Sequence, residues 1–285
     1  MKLSCKLYGE NWTFKSVKEV LAKANEPKSG DFLAGVAAEN PRERMAAKLV
    51  LSELLVSDLR ENPSVPYEED EVTRIIQDDV DEEVYAKFRN MTIGELREWV
   101  LSYDTTSEMI LAASKGLTSE VIAGAAKLMG NLDLIYGAKK IVTTAHCNTT
   151  IGGRGIFASR LQPNHPTDNV RGITSSLFEG LSYGAGDAVL GLNPAIDTVE
   201  STTAVLNLLY DVRTRYEIPT QICVLSHVST QMKAARAGAP IDLCFQSIAG
   251  SEKALRSFGT GAAMLEEALE LMEKCEKVYC PLKDF

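Results

Sequence analysis

The sequence predicts an α/β protein in which a (β/α) barrel of the TIM type follows a helical N-terminal region. Three observations predict this fold. Helix start signals dominate residues 1–137, short apolar runs alternate with helical segments over 138–285, and each strand–helix repeat takes roughly thirty residues, as in a βαβ unit. Parallel strands joined in this way form either a doubly wound sheet or a barrel.

Helix start signals divide the first region into several helices. The helix that begins after Asn40 is expected to continue to about residues 62–63, and no strand is expected before Tyr136. Ser16 and Thr92 each precede a glutamate by three residues, which is the spacing of a capping box. The signals are Ser16 with Glu19, Asn40 with Pro41, Thr92 with Glu95, and Thr118 before Ser119 and Glu120.

The second region contains five short apolar runs that we interpret as parallel strands, at 156–161, 187–192, 220–225, 241–245 and 278–280. Helices are expected between them, at 168–183, 198–216, 230–238, 252–258 and 262–276. No GxGxxG or GxxxxGK[ST] motif follows any of these runs, which disfavours a nucleotide-binding doubly wound sheet and favours a barrel. Because a closed barrel has eight strands, we expect this one to be incomplete.

Composition excludes several classes of function. The 285 residues carry 30 basic and 39 acidic side chains, a formal net charge of -9, which repels nucleic acids and anionic membrane surfaces. No apolar run reaches the roughly 18 residues of a membrane span, and residues 1–30 lack a secretory signal pattern, so a cytoplasmic location is expected. The six cysteines and three histidines show no CxxC, HxH or HExxH spacing, so neither a disulfide scaffold nor a metal site is predicted.

In barrels of this type the reacting groups lie at the carboxyl ends of the strands. The first such segment is 160–164 (RLQPN), where Arg160 and Gln162 are two residues apart and therefore share one face of a strand. A guanidinium beside an amide can bind one small polar molecule; alternatively, the pair only caps loops at the rim. Asn193 in 191–194 (GLNP) adds an amide, or is a turn residue before Pro194.

The third strand-end segment, 245–250 (FQSIAG), places the uncharged side chains of Gln246 and Ser247 near Gly250, which suits a large polar ligand. His227 at the end of another strand is either a base or a structural residue. No Ser/His/Asp or Cys/His arrangement and no pair of strand-end carboxylates is visible. The sequence therefore predicts hydrogen-bonded positioning of a ligand, with no residue assigned as catalytic.

Eight segments, in order along residues 1 to about 276, resemble the large subunit of ethanolamine ammonia-lyase. They are 29–37 (SGDFLAGVA), 73–79 (TRIIQDD), 115–121 (KGLTSEV), 133–140 (DLIYGAKK), 148–152 (NTTIG), 159–164 (SRLQPN), 184–194 (GAGDAVLGLNP) and 245–253 (FQSIAGSEK). The resemblance implies a (β/α) barrel with a helical extension that uses adenosylcobalamin to convert ethanolamine into acetaldehyde and ammonia by a radical route. It also implies a small-subunit partner, assembly into homo- and hetero-oligomers, and a bacterial microcompartment as a location within the cytoplasm.

The resemblance also assigns residues to the two ligands. Arg160 and Asn193 would bind the substrate hydroxyl, and Gln162 would bind the amino group or bridge toward it. On the cofactor side, Pro194 and Gln246 would contact the corrinoid, with Phe245 and Ser247 as their neighbours.

The sequence departs from the family after residue 280. A segment like Y-F-E-T-G, whose glutamate contacts substrate in the family, is expected there, followed by strands that supply an aspartate and an aromatic wall. Residues 281–285 (PLKDF) do not match, so we expect a C-terminally truncated chain that is catalytically impaired by itself. A buried ammonium without a carboxylate is unfavourable by several kcal/mol, in order of magnitude.

Two alternatives remain at this point. The chain is a non-catalytic module of the same family that serves assembly, or it is an unrelated barrel enzyme such as an aldolase or hydrolase. The latter would need metal ligands or a Schiff-base lysine at a strand end. Lys139, Lys140 and Lys253 do not occupy such positions.

Overall fold

The computed structural model describes residues 1–274, which divide into two compact units at the bond between Ile141 and Val142. No helix in the described part of the chain combines the length and the hydropathy needed to cross a membrane.

The first unit begins with a β-hairpin, so the expectation of no strand before Tyr136 was wrong. Strands β1 (Ser4–Leu7) and β2 (Glu10–Thr13) pair antiparallel. Tyr8 and Gly9 between them have φ values of 52° and 84°, the positive pair required by a type I′ turn. Each strand is only four residues long. Leu3, Cys5 and Leu7 do alternate with polar residues and pack against the core of this unit, but so short an alternation is a weak signal for a strand.

Ten α-helices and one short turn of 3-10 helix (Tyr67–Glu69) follow in the first unit. Their buried faces form one core, in which Val20, Leu51, Leu59 and Ile93 are fully enclosed. The helices are α1 (Val17–Ala24), α2 (Ser29–Leu33), α3 (Pro41–Glu53), α4 (Val56–Glu61), α5 (Glu71–Asp78), α6 (Glu82–Phe88), α7 (Ile93–Leu101), α8 (Ser107–Ser114), α9 (Ser119–Leu128) and α10 (Asn131–Lys140).

The predicted helix starts are confirmed, with one difference in detail. Thr92 and Glu95 form a complete capping box, each side chain accepting the other residue's backbone N–H. The hydroxyl of Ser16 accepts the Glu19 N–H at 3.2 Å, but the Glu19 carboxylate accepts the N–H of Lys15 rather than that of Ser16. The Glu19 carboxylate therefore binds the backbone N–H of the residue before the N-cap, whereas in a capping box it binds the N–H of the N-cap residue itself.

The long helix predicted from Asn40 to residues 62–63 is two helices, α3 and α4. Leu54 and Leu55 between them are extended, with ψ values of 143° and 156°. Leu54 O accepts the Ile93 N–H at 2.8 Å, and Leu55 forms a β-bridge with Thr92. Hydrogen bonds to a distant segment thus replace helical ones, a tertiary effect that local periodicity cannot reveal.

Among the described residues, the second unit contains four parallel strands that pair in chain order, with helices between successive strands. The predicted mixed α/β fold with a parallel sheet is confirmed for the described residues, and the run at 278–280 lies outside them. The elements are β3 (Ala145–His146), β4 (Thr150–Ile151), β5 (Arg160–Leu161), α11 (Val170–Ser182), β6 (Val189–Leu192), α12 (Val199–Arg215), β7 (Ile222–Val224), α13 (Val228–Arg236), β8 (Leu243–Cys244), α14 (Glu252–Ser257) and α15 (Ala262–Lys274).

The strands are shorter than predicted, most clearly β5, which was expected over 156–161. Ile156 and Phe157 are 70% and 101% exposed, so this apolar run does not enter the described core. One face of the sheet, with Leu190, Leu192 and Ile222 fully buried, packs against α11 and α12. That packing fixes which side chains point to the opposite face.

An antiparallel hairpin, β3–β4, is joined to the amino ends of the sheet strands by a polar network. Buried Asp242, before β8, accepts from the Ile222 N–H at 2.9 Å and from Asn148 Nδ2 at 3.1 Å, and pairs with Arg213. Gln221 binds the backbone and hydroxyl of Thr149. The carboxyl ends of the strands lie at the opposite edge.

Candidate functional site

On the face of the sheet opposite the helical layer, Arg160 is the one charged residue of the described strands, beside Val189, Gly191, Cys223 and Leu243. Strand β5 pairs with β6 through Arg160 and Val189 and through Leu161 and Leu190. Since Leu161 packs against the helical core, Arg160 before it faces the other way. Gln162 lies just after the end of β5, so the shared face of Arg160 and Gln162 stays a prediction from strand alternation.

The guanidinium of Arg160 lies half-buried over this face without a hydrogen-bonding partner. The N–H groups of its buried Nε and Nη2 atoms donate to no partner among the described residues. Its Cζ atom lies 5.9 Å from the ring centroid of Phe245, which follows β8. Buried donors without acceptors are unfavourable, so these atoms are positioned to bind an acceptor supplied by another molecule or another part of the chain.

Gly191 makes room for this arrangement. A methyl group at position 191 would lie 2.5 Å from Cys223 Sγ, 2.9 Å from Cys223 O and 3.5 Å from Arg160 Nη2. Arg160, Gly191 and Cys223 therefore lie side by side on three adjacent strands. Only glycine fits the middle position without displacing its neighbours.

Cys223 is a neighbour of Arg160 that the sequence analysis did not assign to the site. Burial raises the pKa of its thiol to about 11, although the positive charge of Arg160 acts in the opposite direction. The thiol is thus neutral at ordinary pH and contributes a small, weakly polar surface. The sequence does contain a signal for this placement. Cys223, two residues after Gln221, lies in the strand ICV between Ile222 and Val224, so its side chain points to the face opposite theirs.

Gln162 and Asn193 are the other predicted substrate residues, and both are exposed. Extending the pairing of Leu161 with Leu190 by one residue places Gln162 level with Gly191, two residues before Asn193. Leu192 is buried against the helices, so Asn193 follows on the same face as Arg160 by alternation. Within the described residues no side-chain hydrogen bond joins Arg160, Gln162 and Asn193 to one another, and their convergence on one face stays a prediction from strand alternation.

The loop after β6, which contains Asn193 and Pro194, is fixed by the loop after β5. The Asn193 N–H donates to Asn164 Oδ1 at 3.0 Å, and the carboxylate of Asp168 accepts the N–H groups of Ala195 and Ile196, each at 2.8 Å. The sequence analysis treated Asp168 as the start of a helix. The helix cap is instead Asn169, whose side chain accepts from Arg171 and Gly172.

The residues predicted on the cofactor side lie at the same edge. Phe245 is 43% exposed, and its backbone is held by the side chain of Gln231, which accepts from its N–H and donates to its carbonyl. Gln246 Oε1 accepts the Val228 N–H at 3.1 Å, while its Nε2 donates to Ser247 O at 3.3 Å. Pro194 is half-buried.

His227, considered as a base, has a structural role in the described chain. It caps α13, with Nδ1 close to Ser229 at 2.7 Å and Nε2 3.1 Å from Phe258 O. Its N–H donates to Asp197 in the loop after β6. Both ring nitrogens are engaged in local contacts, so we assign it no proton transfer.

The site as described consists of a cation, two exposed amides and a neutral thiol at the carboxyl edge of a parallel sheet. Within residues 1–274, no group of three His, Cys, Asp or Glu side chains could hold a metal ion, and Arg160 forms no ion pair. This arrangement can donate hydrogen bonds to an oxygen and accept them from an amine.

Comparison with known proteins identifies the family of the chain. The family model described as "Ethanolamine ammonia lyase large subunit (EutB)" matches residues 12–280. Over 268 residues the chain is 57% identical to the ethanolamine ammonia-lyase large subunit of Salmonella typhimurium and 56% identical to those of Escherichia coli K12 and O157:H7. Each alignment covers 94% of this chain but 59% of the relative, so the chain spans about three-fifths of the length of these relatives. The resemblance carried by the eight segments is confirmed, and the alternative of an unrelated barrel enzyme was wrong.

Proposed function

The chain belongs to the ethanolamine ammonia-lyase large-subunit family, and we propose that its second unit forms part of the ethanolamine site of such a lyase. The observation that carries this proposal is the pair of buried, unpartnered Nε and Nη2 atoms of Arg160 at the carboxyl edge of the sheet. The hydroxyl oxygen of ethanolamine is an acceptor of the right size for them. A bound substrate would remove the cost of leaving these donors without a partner.

The roles of the three substrate residues follow from their chemistry. Arg160 donates to the substrate hydroxyl oxygen, and Asn193, from the neighbouring strand end, binds the same group. The amide oxygen of Gln162 accepts from the amino group. These neutral and cationic groups bind the hydroxyl end of the substrate. The ammonium group requires a carboxylate in addition. We propose that this carboxylate comes from the part of the relatives' sequence that this chain does not match.

Adenosylcobalamin would lie on the outer side of this edge, and when bound it supplies the radical chemistry of the reaction. The fit rests on exposed apolar surface at the strand ends, where Phe245 and Ile248 are 43% and 61% exposed. Pro194 and the Gln246 side chain, fixed by Val228, would contact the corrinoid, with Ser247 beside them. These residues orient the large ligand and exclude water above Arg160.

The proposal extends to architecture and partners. We propose that the four parallel strands are consecutive strands of a (β/α) barrel, which would enclose the face that carries Arg160. A small subunit would complete the enzyme, in a hetero-oligomer located in the cytoplasm or in a microcompartment there. The same membership is compatible with a non-catalytic assembly module, which the following experiment distinguishes.

The experiment is a chimera in which the matching segment of the Escherichia coli K12 large subunit is replaced by this chain's segment. The chimera is co-expressed with the small subunit and supplied with adenosylcobalamin, and acetaldehyde formation from ethanolamine is measured. We expect activity within about tenfold of the parent, because the exchanged segments are 56% identical. A chimera that assembles with the small subunit and binds the cofactor, yet forms no product, would support the assembly module instead.

A further inference from the structure

We propose that Asp168 is a positioning residue that holds the 193–196 loop, and through it Asn193 and Pro194, at the carboxyl edge of the sheet. This inference rests on the proposed function for its consequence in substrate binding. The hydrogen bonds that carry it are present in the chain independently of that function.

The backbone of the loop is bound almost entirely by side chains of the preceding strand–helix connection. Asn164 accepts the Asn193 N–H at 3.0 Å, and Pro194 has no N–H. Asp168 accepts the two that follow, from Ala195 with Oδ1 and from Ile196 with Oδ2, both at 2.8 Å. Every backbone N–H of residues 193–196 therefore donates to a side chain from the loop after β5.

Asp168 is also linked to the helix that follows the loop. The hydroxyl of Ser201 in α12 donates to Asp168 Oδ2 at 3.2 Å. The carboxylate thus accepts three donors from a segment 27 to 33 residues away. Hydrogen bonds to an ionised acceptor are about twice as strong as neutral ones, so this one side chain dominates the attachment of the loop.

The backbone of Asp168 supports the same conclusion. Its φ is 50°, one of three positive values among the described non-glycine residues. This left-handed conformation is unfavourable for most L-residues and is tolerated best by Asn and Asp. Neighbouring Asn169 caps α11, so the Asp168 side chain is not needed as the helix cap. The positive φ of Asp168 accompanies the orientation in which its carboxylate binds the next loop.

Two substitutions separate the carboxylate from the backbone conformation. Asp168→Asn keeps a residue that tolerates positive φ but retains only one acceptor oxygen, so one of the two N–H groups loses its partner. Asp168→Gly keeps the conformation accessible and removes both acceptors. Asp81→Asn is the matched control, since Asp81 also accepts two adjacent backbone N–H groups, at 2.9 and 3.0 Å, but in the first unit.

Amide hydrogen exchange on the 285-residue chain tests the attachment directly, without any activity. We expect exchange at Ala195 and Ile196 to become roughly tenfold faster in Asp168→Asn and faster still in Asp168→Gly, because an open loop exposes these amides. Asp81→Asn should leave both amides unchanged. Unchanged exchange at Ala195 and Ile196 in Asp168→Gly would overturn the inference.

Kinetics of the chimera test whether the attachment serves the substrate. We expect Asp168→Asn to raise the KM for ethanolamine by about tenfold with kcat changed less than about threefold, since the loop carries a binding group, while Asp81→Asn changes neither. Faster exchange with an unchanged KM would overturn the positioning role. If the unsubstituted chimera were inactive, the proposed function would fail, and the exchange experiment alone would still decide whether Asp168 holds the loop.

Discussion

The Cζ atom of Arg160 lies 5.9 Å from the ring centroid of Phe245, although Arg160 lies in the first of the four described parallel strands and Phe245 directly follows the last. Three strand spacings of about 4.8 Å separate these strands, so both long side chains extend across the face between them. The contact therefore spans the candidate site, and Gly191 and Cys223 lie on the strands between the two residues.

This contact predicts a measurable coupling between the two residues. In a double-mutant cycle of Arg160→Met and Phe245→Leu, urea unfolding of the 285-residue chain should give a coupling free energy of about 0.5–1 kcal/mol, the range for a partly exposed cation–π pair. The same cycle between Arg160 and the distant, exposed Phe258 is the control. Equal coupling in the two cycles would contradict the geometry.

Gly191→Ala should lower the free energy of unfolding by about 1–3 kcal/mol, as expected for overpacking. The added methyl would meet Cys223 Sγ at 2.5 Å and Cys223 O at 2.9 Å. Adding Cys223→Ala should restore part of this loss, because the carbonyl oxygen remains. Gly250→Ala, where a methyl group would meet nothing within 4 Å, is the matched control and should be close to neutral. A full rescue, or no effect at position 191, would argue against the close strand packing.

Cys223 should resist alkylation in the folded chain. Its thiol pKa is raised to about 11, chiefly by burial, whereas an unfolded cysteine ionises near about 8.5. At a pH between these two pKa values, the thiol loses its proton in the unfolded chain but keeps it in the folded chain. The free energy of unfolding should therefore fall as the pH rises through this range. Iodoacetamide labelling at pH 9, followed by peptide mass spectrometry, should label Cys223 far more slowly than the partly exposed Cys5. Equal rates would show that the thiol is accessible.

Asp242 should be the most sensitive polar residue at the amino edge of the sheet. Asp242→Ala removes the partner of Arg213, whose side chain is only 13% exposed, and the acceptor of the Ile222 N–H. Leaving a buried charge unpaired costs about 3–5 kcal/mol, which urea unfolding monitored by circular dichroism can measure. Glu267→Ala breaks an exposed pair with Arg236 and should cost no more than about 1 kcal/mol. A comparable loss in both variants would contradict the difference in burial.

Much of the second unit could be predicted from sequence because strand alternation is a local property. The alternation predicted opposite faces for Arg160 and Leu161, and the register and the packing of Leu161 agree. The capping box at Thr92 and Glu95 was equally local. The family resemblance added assignments that alternation alone could not supply.

Features that depend on distant partners were missed. The break at Leu54 exists because Ile93 and Thr92 bind there, and Asp168 acts on residues 27 and 28 positions away. Cys223 belongs to the site only because the missing side chain of Gly191 brings it close to Arg160. In each case the determining contact forms between segments whose proximity the fold creates.

The most direct test of the account is Arg160→Met, compared with Arg171→Met on the exposed first turn of α11. The account predicts that Arg160→Met lowers kcat/KM of the chimera for ethanolamine at least about a hundredfold, the cost of losing charged hydrogen bonds in the complex. In the 285-residue chain it should leave the free energy of unfolding unchanged or raise it by about 1 kcal/mol, since two unpartnered buried donors are removed. Unchanged kcat/KM, or a large loss of stability, would show that Arg160 is a structural residue and not part of an ethanolamine site.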